Sequence, residues 1–172
     1  FHGLGRAHLQ LALASAKSWE EIVAQVAEAA AATPEGEWIL GRGWHQEKWS
    51  APPSPAVEGF PVHAALSRVS PKHPVLLVHA SGHAAFANEL ALARAGIDAA
   101  TPDPAGGEIL RDAEGNPTGL LRESAEELVQ RALATDRAKR DPAAVEAEEL
   151  RVFELAQAEL LAHGITTFHD AG

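Results

Sequence analysis

Residues 74–78, Pro-Val-Leu-Leu-Val, are apolar at every position. A strand with one wet face alternates apolar and polar side chains, so a continuous apolar run reads as a strand buried on both faces. Such a strand needs cover on two sides. The segments around it alternate between helical and extended patterns.

Ser18-Trp19-Glu20-Glu21 has the spacing of a capping box, in which Ser18 and Glu21 satisfy free backbone donors at a helix start. It predicts a helix over 19 to about 32, with Ile22, Val23, Val26 and Ala30 on one stripe. "EWILGRGW" reads as a short strand ending in glycine, "SAPPSPAVEGFP" as a proline-rich loop, and 61–69 as a short helix. After the apolar strand the spacing predicts a helix over 84–94, stopped by Gly96 as a C-terminal cap. "GGEILRDAEGNPTGLLRE", residues 106–123, has the chemistry of a β-hairpin with a loop longer than two residues, and "ESAEELVQRAL" returns to helical spacing. Asp141 before Pro142 predicts an N-cap opening a long helix over 142–162, closed at Gly164 and feeding the β-branched segment "ITTFHDAG" as a strand. There are no internal repeats.

This order predicts the α/β class. The long helix running into a strand is half of a βαβ unit. Only one clear strand follows it, so these residues cannot complete a closed eight-stranded barrel. At 172 residues, 46% hydrophobic and 22% charged, the chain can bury one ordinary core, and one domain is the default. It starts at Phe1 and holds no methionine, which reads as a piece of a longer protein.

Charge and composition remove several function classes. Lys and Arg number 14 against 24 Asp and Glu, a net charge of −10 that repels a nucleic-acid backbone, and no basic cluster is visible. No apolar run is long enough to span a bilayer, and the start lacks the sections of a signal peptide. The expected partner is therefore a small-molecule substrate, with no nucleic acid and no membrane, and the default location is cytoplasmic. With no cysteine there are no disulfides, zinc–thiolate sites or cysteine nucleophiles.

The polar residues near the apolar strand each carry two readings. His79 and His83 are four apart, but a strand precedes His79 and Ser81-Gly82 is a turn, so they do not share a helical face as zincin ligands do. His83 falls just past a strand's carboxyl end, where open α/β sheets place ligand groups. The plainer reading is that both histidines bond nearby backbone. Asn88, inside the expected helix, has no propensity reason to sit there and either braces the turn carrying His83 or reaches a ligand. Trp44 and Trp49 bracket "HQEK" as pocket walls or as a loop anchor. Glu123 ends the second hairpin strand and reads equally as a first-turn carboxylate of a helix capped by Ser124. His169 and Asp170 stand at a strand's carboxyl end, where barrel enzymes put working residues. "GLGR" lacks the third glycine of a dinucleotide fingerprint, and "HASGH" is not a nucleophile elbow.

Four stretches taken in order, "GEWILGRGWHQEKW", "HPVLLVHASGHAAFAN", "GGEILRDAEGNPTGLLRE" and "GITTFHDAG", resemble the amidohydrolase superfamily, in the branch of N-substituted formamide deformylase-like proteins. The resemblance covers essentially the whole chain. It implies a metal-dependent hydrolase of amide or related C–N bonds, built as a (β/α)8 barrel with an inserted α+β subdomain. Residues 1–32 and 142–172 would be barrel pieces, and 33–141 the insertion covering the active-site mouth. The family's His-x-His metal motif precedes a stretch like "FHGLG", so this chain would begin just after it. By resemblance His83 and Asn88 line the substrate pocket, with Trp44 as a wall, Glu123 nearby, His79 as a weaker match, and His169 and Asp170 as catalytic candidates. None of these is a metal ligand. A divalent metal, zinc by expectation, belongs to the complete enzyme and not to this chain, which would supply pocket walls and could pair as a homodimer through exposed apolar edges. Two other readings are a non-catalytic small-molecule binding or interaction module and a nucleotide-binding α/β domain; the missing phosphate loop argues against the second.

Overall fold

A computed structural model describes residues 1–169. Its elements are α1 (His2–Ala7), β1 (Leu11–Ala12), α2 (Trp19–Ala32), β2 (Ile39–Trp44), β3 (Ala56–Val57), β4 (Phe60–Pro61), α3 (Ala64–Val69), β5 (Val75–His79), β6 (Ala84–Ala87), α4 (Glu89–Arg94), β7 (Gly107–Arg111), β8 (Pro117–Glu123), α5 (Glu126–Arg137) and α6 (Pro142–Ala162). Six strands form one sheet in the order β1-β2-β5-β6-β8-β7, while β3 and β4 make a separate ribbon inside the proline-rich loop. Pairing is parallel from β1 through β2 to β5 and antiparallel from β5 through β6 and β8 to β7. The class is mixed α/β.

The apolar run at 74–78 becomes the middle of this sheet. Val75 and Leu77 enter one core with Trp19, Ile22, Val26 and Leu66 from α2 and α3. Leu76, pointing the other way, enters a second core with Ala91, Leu92 and Val129 from α4 and α5. Helices on both faces explain why every position of this strand before His79 is apolar.

Local chemistry sets the boundaries. Ser18 accepts from the Glu21 amide at 3.2 Å, and the Glu21 carboxylate accepts in return from the Lys17 amide, one residue earlier than a standard capping box. Asp141 caps α6 by accepting from the Ala143 amide. Helices α4 and α6 both close in Schellman geometry. The Gly96 and Ile97 amides bond the Ala93 and Leu92 carbonyls, and the Gly164 and Ile165 amides bond those of Leu161 and Leu160. The Asp112 carboxylate accepts from the Glu114 and Asn116 amides and so ties the hairpin loop between β7 and β8.

Three expectations are corrected. Residues 84–87 form strand β6, not the start of a helix, because they fill the gap between β5 and β8 and pair with both. Phe86 faces Trp19, with ring centroids 4.8 Å apart, while Ala85 and Ala87 enter the opposite core. Residues 165–169 form no strand: they are exposed and pair with no described segment, so a β-branched sequence has no ladder to join. Ser124 does not cap α5; its hydroxyl donates to the Ala105 carbonyl at 2.8 Å and Ala125 takes the cap position. No helix among the described residues is long and apolar enough to cross a membrane.

Candidate functional site

The carboxyl ends of β2, β5 and β8 lie along one edge of the sheet, since β8 runs parallel to β5 with β6 antiparallel between them. Groups at this edge come from separate parts of the chain: Trp44 ends β2 with His45 and Gln46 just after it, His79 ends β5 with Ser81 just after it, and Glu123 ends β8. His83 sits just before β6, which starts at the same edge.

His79 is 8% exposed and anchored through both ring nitrogens. Its Nδ1 accepts from the Ser81 amide at 3.2 Å and lies 2.8 Å from Ser81 Oγ, so the proton belongs on Nε2, which donates to Gln46 Oε1 at 3.2 Å. Burial, and then the His45 ring with its centroid 4.6 Å away, lower the His79 pKa and favour this neutral form. Ser81 Oγ also accepts from the His83 amide at 3.1 Å. The turn between β5 and β6 is therefore a short relay from His83 backbone to the His79 ring.

Trp44 is 1% exposed and donates its indole N–H to the Leu77 carbonyl at 2.8 Å. Its ring meets His79 edge-on at 4.6 Å. It is a floor under the histidine and not a wall open to solvent. Trp49 stacks on Trp44, and its own indole N–H finds no partner among the described residues.

His83 and Glu123 form the open part of the edge. Both are exposed; His83 Nδ1 lies 3.1 Å from Glu123 Oε2, and the Glu123 amide bonds the His83 carbonyl at 3.0 Å. Glu123 takes φ +51, a left-handed conformation that is rare for a non-glycine residue and turns β8 into α5. Beneath this pair lies Glu126, 5% exposed. Its pKa is pushed up to about 7, first by burial and next by the Glu123 charge, with His83 acting in the opposite direction. The edge thus offers a neutral imidazole, an imidazole oriented by a carboxylate, and a carboxyl group that holds its proton near neutrality.

Asn88 stands behind this edge. It is fully buried and caps α4, with Oδ1 accepting from the Val75 and Ala91 amides at 3.0 Å each. Its Nδ2 donates to the Ser70 carbonyl, Ser70 Oγ and the His73 carbonyl. No polar atom remains for a ligand, so its work here is to brace the turn where β6 passes into α4. His169 is exposed, and its neighbour Phe168 stacks on Phe1 by α1, so His169 makes none of the contacts that gather the other residues. Asp170 lies outside the described residues.

Sequence reasoning missed Gln46, Ser81 and Glu126. The "ESAEEL" pattern marks Glu126 only as a first-turn carboxylate of a helix, and nothing in it tells that this one is buried under Glu123. A cavity of about 460 Å³ lies elsewhere, against the amino end of β2 and between α1, α5 and α6.

The model of the amidohydrolase family matches residues 2–172. N-substituted formamide deformylase of Arthrobacter pascens is 42% identical over 108 residues, which is 63% of this chain and 19% of that protein. Protein LONG AFTER FAR-RED 3 of Arabidopsis thaliana is 39% identical over 120 residues, covering 70% of this chain and 19% of the relative. The chain thus spans about a fifth of the length of these curated relatives. Among solved structures, an uncharacterized metal-dependent hydrolase from Pyrococcus horikoshii OT3 superposes with a TM-score of 0.62 at 23% identity, over 96% of this chain and 28% of that one.

Proposed function

Because the chain belongs to the amidohydrolase family, we propose that the polypeptide containing it is a metal-dependent hydrolase of amide or related C–N bonds. In this reading the chain supplies part of the substrate pocket. Residues 1–32 and 142–172 belong to a (β/α)8 barrel, and 33–141 form a cover over its mouth. The observation that carries the reading is the convergence of His79, His83, Glu123 and Glu126 on one sheet edge, where open α/β sheets hold ligands.

The family implies a divalent metal, for which zinc is our proposal. The described residues do not fit one: no three His, Asp or Glu side chains among them are placed to share an ion. We assign the metal's ligands to other residues and route no step through this edge's histidines as ligands. What the chain contributes is positioning and proton handling. With Nδ1 held by Glu123, His83 presents Nε2 to a substrate carbonyl or amine. Glu126, protonated up to about pH 7, can give a proton to a leaving amine or keep the Glu123 charge from being doubled. Trp44 and the His79 relay fix the floor beneath.

Two measurements test this. The full-length polypeptide should hydrolyse an N-substituted formamide, lose activity on chelation, and lose roughly tenfold in kcat/KM on His83→Ala, about 1.4 kcal/mol of transition-state stabilisation. Isothermal titration of the 172-residue chain with zinc should show no stoichiometric submicromolar binding. A chelator-resistant activity would overturn the metal assignment, and tight zinc binding by this chain would overturn the division of labour.

A further inference from the structure

The cavity of about 460 Å³ at the amino end of β2 is lined by five arginines, Arg6, Arg94, Arg137, Arg140 and Arg151, against three carboxylates, Glu37, Asp136 and Glu148. Arginines outnumber carboxylates in the lining, in a chain of net charge −10, although Glu149 and Glu154 just outside it also pair with Arg6 and Arg151. Two of the three carboxylates, Asp136 and Glu148, are already committed. Asp136 Oδ2 accepts from Arg94 at 2.7 Å and from the Trp38 indole at 3.1 Å, and Asp136 Oδ1 accepts from Lys139. Glu148 is shared, taking Arg6 at 3.0 Å on one oxygen and Arg140 on the other.

Arg137 is left over. Half-buried at the end of α5, it has no hydrogen-bond or ion-pair partner among the described residues. A guanidinium withdrawn from water without an acceptor is costly, and a planar donor fork is satisfied best by a bidentate oxyanion. Burial first, and then the Arg6 charge, hold its pKa below the usual arginine value, with Arg140 adding to the effect and Glu148 and Glu149 working against it; an incoming anion would push it back up. Leu9, Leu40 and Leu133 line the same space, and its volume falls in the range of small-molecule sites.

We propose that this cavity binds the oxyanion head of a small molecule, a carboxylate or a phosphate, gripped by Arg137 between Arg6 and Arg140, with the molecule's apolar part against the leucines. The site lies at the amino end of β2, away from the histidine edge, and it does not depend on hydrolysis. Trp38 lines it and can report occupancy.

The test is titration of the 172-residue chain with inorganic phosphate and with benzoate, followed by calorimetry and tryptophan emission, against sodium chloride at matched ionic strength. One of the two anions should give a single saturable site, and the one that binds identifies the head group. Trp38→Phe should remove the emission change while leaving the heat. Arg137→Gln should weaken binding about tenfold or more, and Arg137→Lys, which keeps the charge but loses the fork, should weaken it less. Heats indistinguishable from chloride for both anions, or unchanged affinity in a folded Arg137→Gln, overturn the proposal. Should the glutamine variant not fold, the wild-type titration and the lysine variant still decide it.

Discussion

Asn88 shows how one side chain can hold an element boundary. Its amide satisfies two backbone donors and two backbone carbonyls that neither the sheet nor α4 could satisfy by itself. Asn88→Ala would leave several buried polar groups unpaired, and a loss of about 3 kcal/mol in urea unfolding is expected, with an unchanged m-value. A change under about 0.5 kcal/mol would show the network to be dispensable. Glu126 makes the opposite kind of statement. Its folded pKa, about 7, lies above the ordinary 4.5, so the folded chain keeps a proton that the unfolded chain releases. That contribution is complete below about pH 4.5 and is lost as pH rises through about 7, worth about 3 kcal/mol at most. Glu126→Gln should therefore match the wild type near pH 4.5 and exceed it in stability near pH 8, measured as paired urea melts. A difference that stays flat with pH would mean that Glu126 does not titrate in this window. The sequence offers Asn88 as a brace or a ligand contact, and the structure shows the brace, whereas the sequence marks Glu126 only as a first-turn carboxylate. Asn88 offers a cap and a brace in any helix, and only the meeting of Ser70, His73 and Val75 around it decides which groups it serves.

The elements most legible in the sequence are those whose ends carry their own chemistry. Ser18, Asp141, Gly96 and Gly164 mark helix ends through local hydrogen bonds, and the Asp112 loop marks its hairpin the same way. Strand β6 was illegible because Ala84-Ala85-Phe86-Ala87 suits a helix by propensity, and only pairing with β5 and β8 makes it extended. That error also displaced His83, placed by the sequence at a helix start and by the structure at a strand's edge. The strand expected over 165–172 fails across its described part, 165–169, for the mirror reason, since its β-branched residues find no described strand to pair with. The sheet around β6 depends on Gly119 of β8, which sits at φ +105; an added Cβ would come 2.6 Å from the Ala87 carbonyl oxygen. Gly119→Ala combines backbone strain with this clash, and a loss of about 2–4 kcal/mol is expected. A urea midpoint equal to that of the wild type would show that β6 and β8 can separate without cost.

At the scale of the molecule, α6 carries apolar residues on two opposite sides. Val152 and Ala156 are buried, and the Val152 carbonyl lies so close to Gly5 of α1 that a Cβ there would approach within 1.9 Å. Around the helix from them, Leu150 and Leu161 are 60% and 54% exposed. A helix with two apolar stripes is built to be covered twice, and α1 covers one. Phe153 and Phe168, each 47% exposed, instead pack on Phe1 beside α1. In water the uncovered stripe drives association, at about 25 cal/mol per Å² removed from solvent. The 172-residue chain alone should therefore sediment as a concentration-dependent mixture of monomer and dimer. Leu150→Glu combined with Leu161→Glu should return it to monomer, because two carboxylates on that stripe cannot be buried against a second copy. The far-ultraviolet circular dichroism should stay unchanged, since neither side chain belongs to either core. A wild-type chain that remains monomeric at high concentration would mean that the exposed stripe of α6 is too small or too interrupted to pair, and the homodimer expectation would fail with it.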